Sequence, residues 1–121
     1  MNDAPELTGI SAITLYTADM ARALTFYVAL GFEVVYGGAS STFTSFRAGA
    51  GFVNLVKGTP PATAWGRVII YVGDVDAMHR RALDAGFATL TTPRDAEWGE
   101  RYFHILDPDN NELSFARPLS Q

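Results

Sequence analysis

The sequence predicts an α+β fold of two βαβββ modules, which form a concave mixed β-sheet cleft with a helix on the outer face of each module. Two observations predict it. The stretch Ile13-Thr-Leu-Tyr-Thr-Ala-Asp19, running on to Gly31-Phe32, returns 55 residues later as Val68-Ile-Ile-Tyr-Val-Gly-Asp74, running on to Gly86-Phe87. Each copy reads as an apolar strand, an aspartate, an amphipathic run of eleven residues and then Gly-Phe. Strand-like segments fill the remainder of both copies. An internal duplication accounts for all of this.

Residues 10–17 alternate as a strand, with Ile13 and Leu15 on one face and Ala12, Thr14 and Tyr16 on the other. Asp19 is a helix N-cap, since its carboxylate can accept the free N–H groups of the first turn. Residues 20–30 place Met20, Ala23, Leu24, Phe26, Tyr27 and Leu30 at three- and four-residue spacings. Gly31 then supplies the left-handed residue that ends the helix. Strands are expected at 32–36, 42–48 and 51–56, separated by Gly37-Gly38 and Gly49-Ala50-Gly51, the last two as a hairpin. The proline-bearing segment 57–64 joins the modules, about 9–57 and 65–117, of a single domain spanning 1–121.

In the second module a strand at 67–72 leads into a helix at 75–85, capped by Asp74 and ended by Gly86. A short strand at 87–90 and a loop at 91–99 follow, then strands at 100–106 and 112–116. Asp107-Pro-Asp-Asn-Asn111 is a tight turn, because Asp and Asn tolerate positive φ and bond to their own backbone. Val68, Ile70 and Val72 lie under the helix. Arg67, Ile69 and Tyr71 face the concave side.

Composition narrows the function. With 48% apolar and 18% charged residues, the 121-residue chain has a globular composition, and duplication divides its core between two half-domains. No apolar run approaches the roughly 20 residues of a membrane span, and the first residues lack the pattern of a signal peptide. Without cysteine there is no disulfide, thiolate or Cys-based zinc chemistry, and a cytoplasmic location is expected. A net charge of −4, with one lysine and eight arginines, argues against nucleic acid or anionic membranes as partners. No Gly-rich phosphate loop, Gly-x-Ser-x-Gly nucleophile or Cys/His pair is present.

The motifs resemble one family. Asp19…Phe26-Tyr27…Leu30-Gly31-Phe32 in the first module, and Trp98-Gly99-Glu-Arg…Phe103…Asp107-Pro-Asp-Asn-Asn111…Phe115 in the second, are similar to the vicinal oxygen chelate superfamily. That superfamily takes in glyoxalase I, extradiol dioxygenases and bleomycin-resistance proteins, and the second segment is most similar to the bleomycin-resistance branch. Asn110 stands where the family turn usually has Gly, a mild departure because Asn also occupies left-handed φ. The resemblance implies one divalent metal held by His, Gln or Glu at four positions of the concave side. Here those positions carry Ala12, Asn54, Arg67 and Ser114. Alanine has no donor, arginine is a fixed cation, and Asn and Ser are weak neutral oxygens. No metal and no cofactor are expected.

His79, beside Arg80 and Arg81, reads as a solvated surface residue, and Asp107 and Asp109 as turn formers. The reading is a metal-free, antibiotic-resistance-type binding protein that sequesters an aromatic or antibiotic-like molecule, with a homodimer implied by the resemblance. Its expected ligand-binding residues are Ala12, Phe46, Phe52, Asn54, Trp65, Arg67, Tyr71, Trp98, Tyr102, His104 and Ser114. Trp and Tyr would gain most from a cationic ligand. Arg67, an outlier on a mostly apolar face, is expected to pair with Glu112 or with a ligand anion. No catalytic residue is assigned. The alternative that the resemblance implies is a metal-independent or atypical-metal lyase, isomerase or dioxygenase; without a metal it would use His104 or Tyr102 for proton transfer and Arg67 to hold an enolate or carboxylate.

Overall fold

The computed structural model describes residue 5 and residues 8–63 and 65–120. Its element order is β1 (Ala12–Thr17), α1 (Met20–Ala29), β2 (Glu33–Tyr36), β3 (Phe43–Ala48), β4 (Gly51–Lys57), β5 (Arg67–Tyr71), α2 (Val75–Asp84), β6 (Arg94–Asp95), β7 (Glu100–Leu106) and β8 (Glu112–Pro118). The strands form two four-stranded sheets, β1-β4-β3-β2 and β5-β8-β7-β6. In each, the outer strand β1 or β5 runs parallel to its neighbour and the remaining pairs are antiparallel. This is the α+β architecture expected from the βαβββ order.

The repeat holds down to single hydrogen bonds. Asp19 accepts from Arg22 N at 3.1 Å, and Asp74 accepts from Ala77 N at 3.0 Å. At the other end Gly31 N donates to Val28 O and Phe32 N to Tyr27 O, while Gly86 N donates to Leu83 O and Phe87 N to Ala82 O. Gly31 (φ 103°) and Gly86 (φ 89°) take the positive φ that closes each helix C-terminus. Sequences 55 residues apart therefore build the same cap twice.

The cores of the two halves merge. Leu15, Phe26, Tyr27, Phe46 and Leu55 of the first half join Val68, Phe103, Ile105 and Phe115 of the second in one buried cluster. Phe26 meets Phe87 at 4.7 Å, and Phe32 meets Phe115 edge-on at 6.3 Å. The elements repeat without dividing the interior, because each helix shields only part of its own sheet and the uncovered apolar surface is buried against the other half.

A polar clasp ties the halves beside this core. Tyr27 Oη donates to the Asp107 carboxylate at 2.7 Å, and Asn111 Nδ2 donates to Tyr16 O at 3.2 Å. Asp109 accepts from Thr17 Oγ1, Ala18 N and Arg22 Nη2. Across the molecule Arg81 Nε donates to Ala29 O, a bare carbonyl of the last turn of α1. The turn 107–111 forms as expected, with Asn110 at φ 65°. Its aspartates do more than turn the chain.

Two local expectations fail. Residues 87–90 form no strand; a single carbonyl, His104 O, receives both Leu90 N and Thr91 N. Phe87 turns its ring inward to Phe26, and the edge strand forms later as β6, where Arg94 faces Tyr102 and Asp95 faces Arg101. His79 is half-buried rather than solvated: its Nε2 lies 3.2 Å from Thr89 Oγ1 and its ring meets Phe103 edge-on at 5.1 Å.

Candidate functional site

Strand alternation sorts the side chains. On β7, Arg101, Phe103 and Ile105 point toward α2 and the core, which leaves Glu100, Tyr102, His104 and Leu106 on the opposite, open face. Register places Ser114 beside His104 and Ile69, Glu112 beside Arg67, and Arg94 beside Tyr102. In the first sheet Asn54 lies between Thr14 and Ser45, and Phe52 between Ala12 and Arg47.

These residues form two adjoining regions. One is a cleft of about 330 Å³ beside the unpaired edges of β1 and β5, lined in part by Ala12, Phe52, Ile69 and Tyr71. The Arg47 guanidinium sits 5.8 Å over the Phe52 ring. The other is the open face of the second sheet. Trp98 stacks on Tyr102 with centroids 5.5 Å apart and 30° between planes, and Tyr102 leans on His104 at 4.9 Å. Trp65 and Arg67 border this face in an open depression with Ile69 and Glu112. Tyr71 links the two regions, because it lines the cleft and its hydroxyl donates to Glu100.

The polar groups pair in three separate sets. Arg67 Nε donates to Glu112 Oε2 at 2.5 Å, the intramolecular pairing expected for it, and His104 Nδ1 lies 3.5 Å from the same oxygen. Glu100 accepts from Trp98 Nε1 at 3.0 Å and from Tyr71 Oη. Arg94 Nε donates to Tyr102 Oη at 2.8 Å, and its guanidinium lies 5.4 Å over the same ring. Burial holds the His104 imidazole below its ordinary pKa, and Arg67 and Arg94 add to this against the pull of Glu112. The balance favours the neutral imidazole.

Of the expected residues, Phe46 is misplaced. It is fully buried, facing Tyr27 at 5.2 Å and Phe32 at 5.8 Å, because β3 turns its alternate residues toward α1. It cannot touch a ligand in the groove. Ser114 and Tyr102 face the right way but are only 4% and 6% exposed, Tyr102 because Trp98 and Arg94 cover it, and the Asn54 amide donates to Thr14 Oγ1 at 3.2 Å. Glu100 and Arg94 escaped the sequence reading. Glu100 shares its parity with Tyr102 and His104 on one strand, a signal that could have found it. Arg94 stood in a stretch read as loop, and only the two-residue strand β6 turns it onto this face.

The four positions that hold a metal in family enzymes do not fit a divalent ion. Ala12 has no donor, Arg67 brings a cation already paired with Glu112, and the Asn54 amide points to Thr14. Among the described residues no three His, Cys, Asp or Glu side chains converge as a metal cluster would require. Among the same residues, no helix is long and apolar enough to cross a membrane.

Comparison with known proteins agrees with this architecture. The family model of the Glyoxalase/Bleomycin resistance protein/Dioxygenase superfamily matches residues 9–115. An uncharacterized protein of Mycobacterium bovis is 34% identical over 85 residues, which make up 70% of this chain and 46% of that protein. The chain thus spans less than half the length of the curated relatives it matches. Among solved structures, TioX from Micromonospora sp. ML1 superposes with a TM-score of 0.74 at 26% identity, over 92% of this chain and 99% of that one. A bleomycin-binding protein complexed with bleomycin superposes with a TM-score of 0.72 at 18% identity, over 92% and 98%. At that identity the likeness is one of fold. With the repeated strand–helix unit, the two mixed sheets and a family match over most of its length, the chain belongs to the Glyoxalase/Bleomycin resistance protein/Dioxygenase superfamily.

Proposed function

We propose that this chain is a metal-free binding protein that sequesters a small aromatic, antibiotic-like molecule in the groove formed by the cleft and the open face of the second sheet. The observation that carries this reading is the pairing of exposed rings with a donor set unsuited to a metal. Trp98 is 66% exposed and Tyr71 60% exposed, yet both are anchored by hydrogen bonds to Glu100. Rings fixed in place while their faces stay in water are ready to stack on a flat ligand at little entropic cost. The bleomycin complex of a protein with the same fold supports a small-molecule ligand. The proposed place of action is the cytoplasm.

Calorimetric titration with glycopeptide and planar aromatic antibiotics tests this. At least one should bind, and Trp98→Ala should weaken it by about 1–2 kcal/mol, roughly 5- to 30-fold. A tightly held stoichiometric metal in protein purified without chelator would overturn the reading.

We further propose a homodimer. Ile10 is 80% exposed and Ile69 60% exposed, and both line the cleft beside the unpaired edges of β1 and β5. A second copy would cover apolar surface that water now wets. Sedimentation equilibrium at micromolar concentration is expected to return twice the chain mass; a monomer throughout that range refutes it.

A second reading has one specific observation behind it: His104, its imidazole biased to the neutral form, faces the groove 3.5 Å from Glu112. Such an imidazole can take a proton from a bound ligand. If a bound ligand is turned over, and His104→Ala abolishes that turnover while leaving its affinity intact, the protein is a metal-independent enzyme.

A further inference from the structure

Four arginines stand on the strands of the second sheet, Arg67, Arg94, Arg101 and Arg117, and the partners of the first three differ. Arg67 is held by Glu112 at 2.5 Å. Arg101, on the core side, is held by Asp76 and Asp95, each at 2.9 Å. Arg94 has no carboxylate within ion-pair distance among the described residues, although it is not loose. Its Nε is spent on the Tyr102 hydroxyl at 2.8 Å and its plane lies over the Tyr102 ring. The guanidinium is thereby positioned with neither Nη group bonded to another described residue, one aromatic ring away from Trp98, which stacks on the same tyrosine.

The carboxylate bonded to those rings, Glu100, is in the opposite condition. Glu100 already receives Trp98 Nε1 on one oxygen and Tyr71 Oη on the other. Its oxygens are each engaged by a donor of the protein, so they are less open to a ligand than the Nη groups of Arg94 are. The free donors on this face suit an anion.

We propose that the groove selects an aromatic acid, its flat ring lying against Trp98 and its carboxylate gripped through two parallel hydrogen bonds by the Nη groups of Arg94. This rests on the aromatic-groove reading and adds the charge of the ligand to it. A planar fork suits a planar carboxylate better than a point charge does, and the Tyr102 hydroxyl sets the plane of the fork before the ligand arrives. Arg94 also acts at a distance on this face, since its charge helps to hold His104 in the neutral form.

Three probes with the same ring separate the two ideas: naphthalene carboxylate, naphthalene methanol and naphthylmethylammonium, titrated calorimetrically at physiological ionic strength. The carboxylate is expected to bind about tenfold or more tighter than the alcohol, and the ammonium no tighter than the alcohol. Arg94→Gln should bring the carboxylate to the level of the alcohol without changing the alcohol. Arg94→Lys, which keeps the charge but loses the fork, should recover only part of the difference. Trp98→Ala should weaken all three alike. Tightest binding of the ammonium, or a carboxylate preference that survives both Arg94 variants in folded protein, overturns the acid and leaves the aromatic groove standing. If none of the three binds the unsubstituted protein, the groove reading falls and the acid falls with it.

Discussion

Asp107→Ala is expected to destabilise the fold by about 3–5 kcal/mol, enough to lower Tm by on the order of 10–20 °C. The carboxylate is only 3% exposed. It accepts from Tyr27 Oη at 2.7 Å, from Asn111 Nδ2 and N, each at 2.9 Å, and from Asp109 N at 2.8 Å. Burial pushes the Asp107 carboxyl above its ordinary pKa despite these donors, a sign of how far it has been withdrawn from water. Removing it strands several donors together, and the Tyr27 hydroxyl belongs to the other half of the molecule. Tyr27→Phe deletes one of those bonds and keeps the ring, so its cost should be the smaller, about 1–3 kcal/mol. Urea unfolding of both variants checks this. Equal costs would mean that the clasp adds nothing beyond the single tyrosine bond.

Phe46→Ala is expected to cost a similar amount, about 3–5 kcal/mol, and to leave ligand affinity unchanged in the protein that remains folded. The ring fills the space between Tyr27 and Phe32 and is sealed from the open face by its own strand. Its loss leaves a cavity that neighbouring aromatics cannot close without leaving their rotamers. Phe52→Ala should show the reverse: Phe52 is 36% exposed at the cleft, so its removal should barely move the unfolding midpoint. Thermal melts and titrations run on the pair separate core from groove. Normal stability with weakened binding in Phe46→Ala would return that residue to the site.

Phe46 and Phe52 show where the sequence stops being legible. Both stand in strands bounded by glycines, and the alternation within each strand is clear. Which alternate set faces the helix depends on how β3 pairs with β4, and a shift by one residue reverses it. The register puts Phe46 opposite Val53 under α1 and Phe52 opposite Arg47 on the other face. Arg67 was easier. A charge on an apolar face demands a counter-charge, and Glu112 was within reach on a neighbouring strand, where the structure places it. The short strand at 87–90 failed because its apolar content was needed elsewhere: Phe87 was drawn into the core against Phe26.

Local chemistry is written in the order of residues. The Asp caps, the Gly stops and the turn at Asp107–Asn111 follow from neighbours within a few positions, and the repeat shows when the chain is laid on itself, so the sequence by itself determined all the elements but the edge strand β6, their order and the family. It also determined which metal-binding side chains were missing. Tertiary structure alone decided that the two cores merge, that Asp107 clasps Tyr27 across 80 residues, and that Arg94 and Glu100 come to flank the same pair of rings. Those outcomes depend on strand register and on the packing of one half against the other, and neither leaves a periodic trace along the chain.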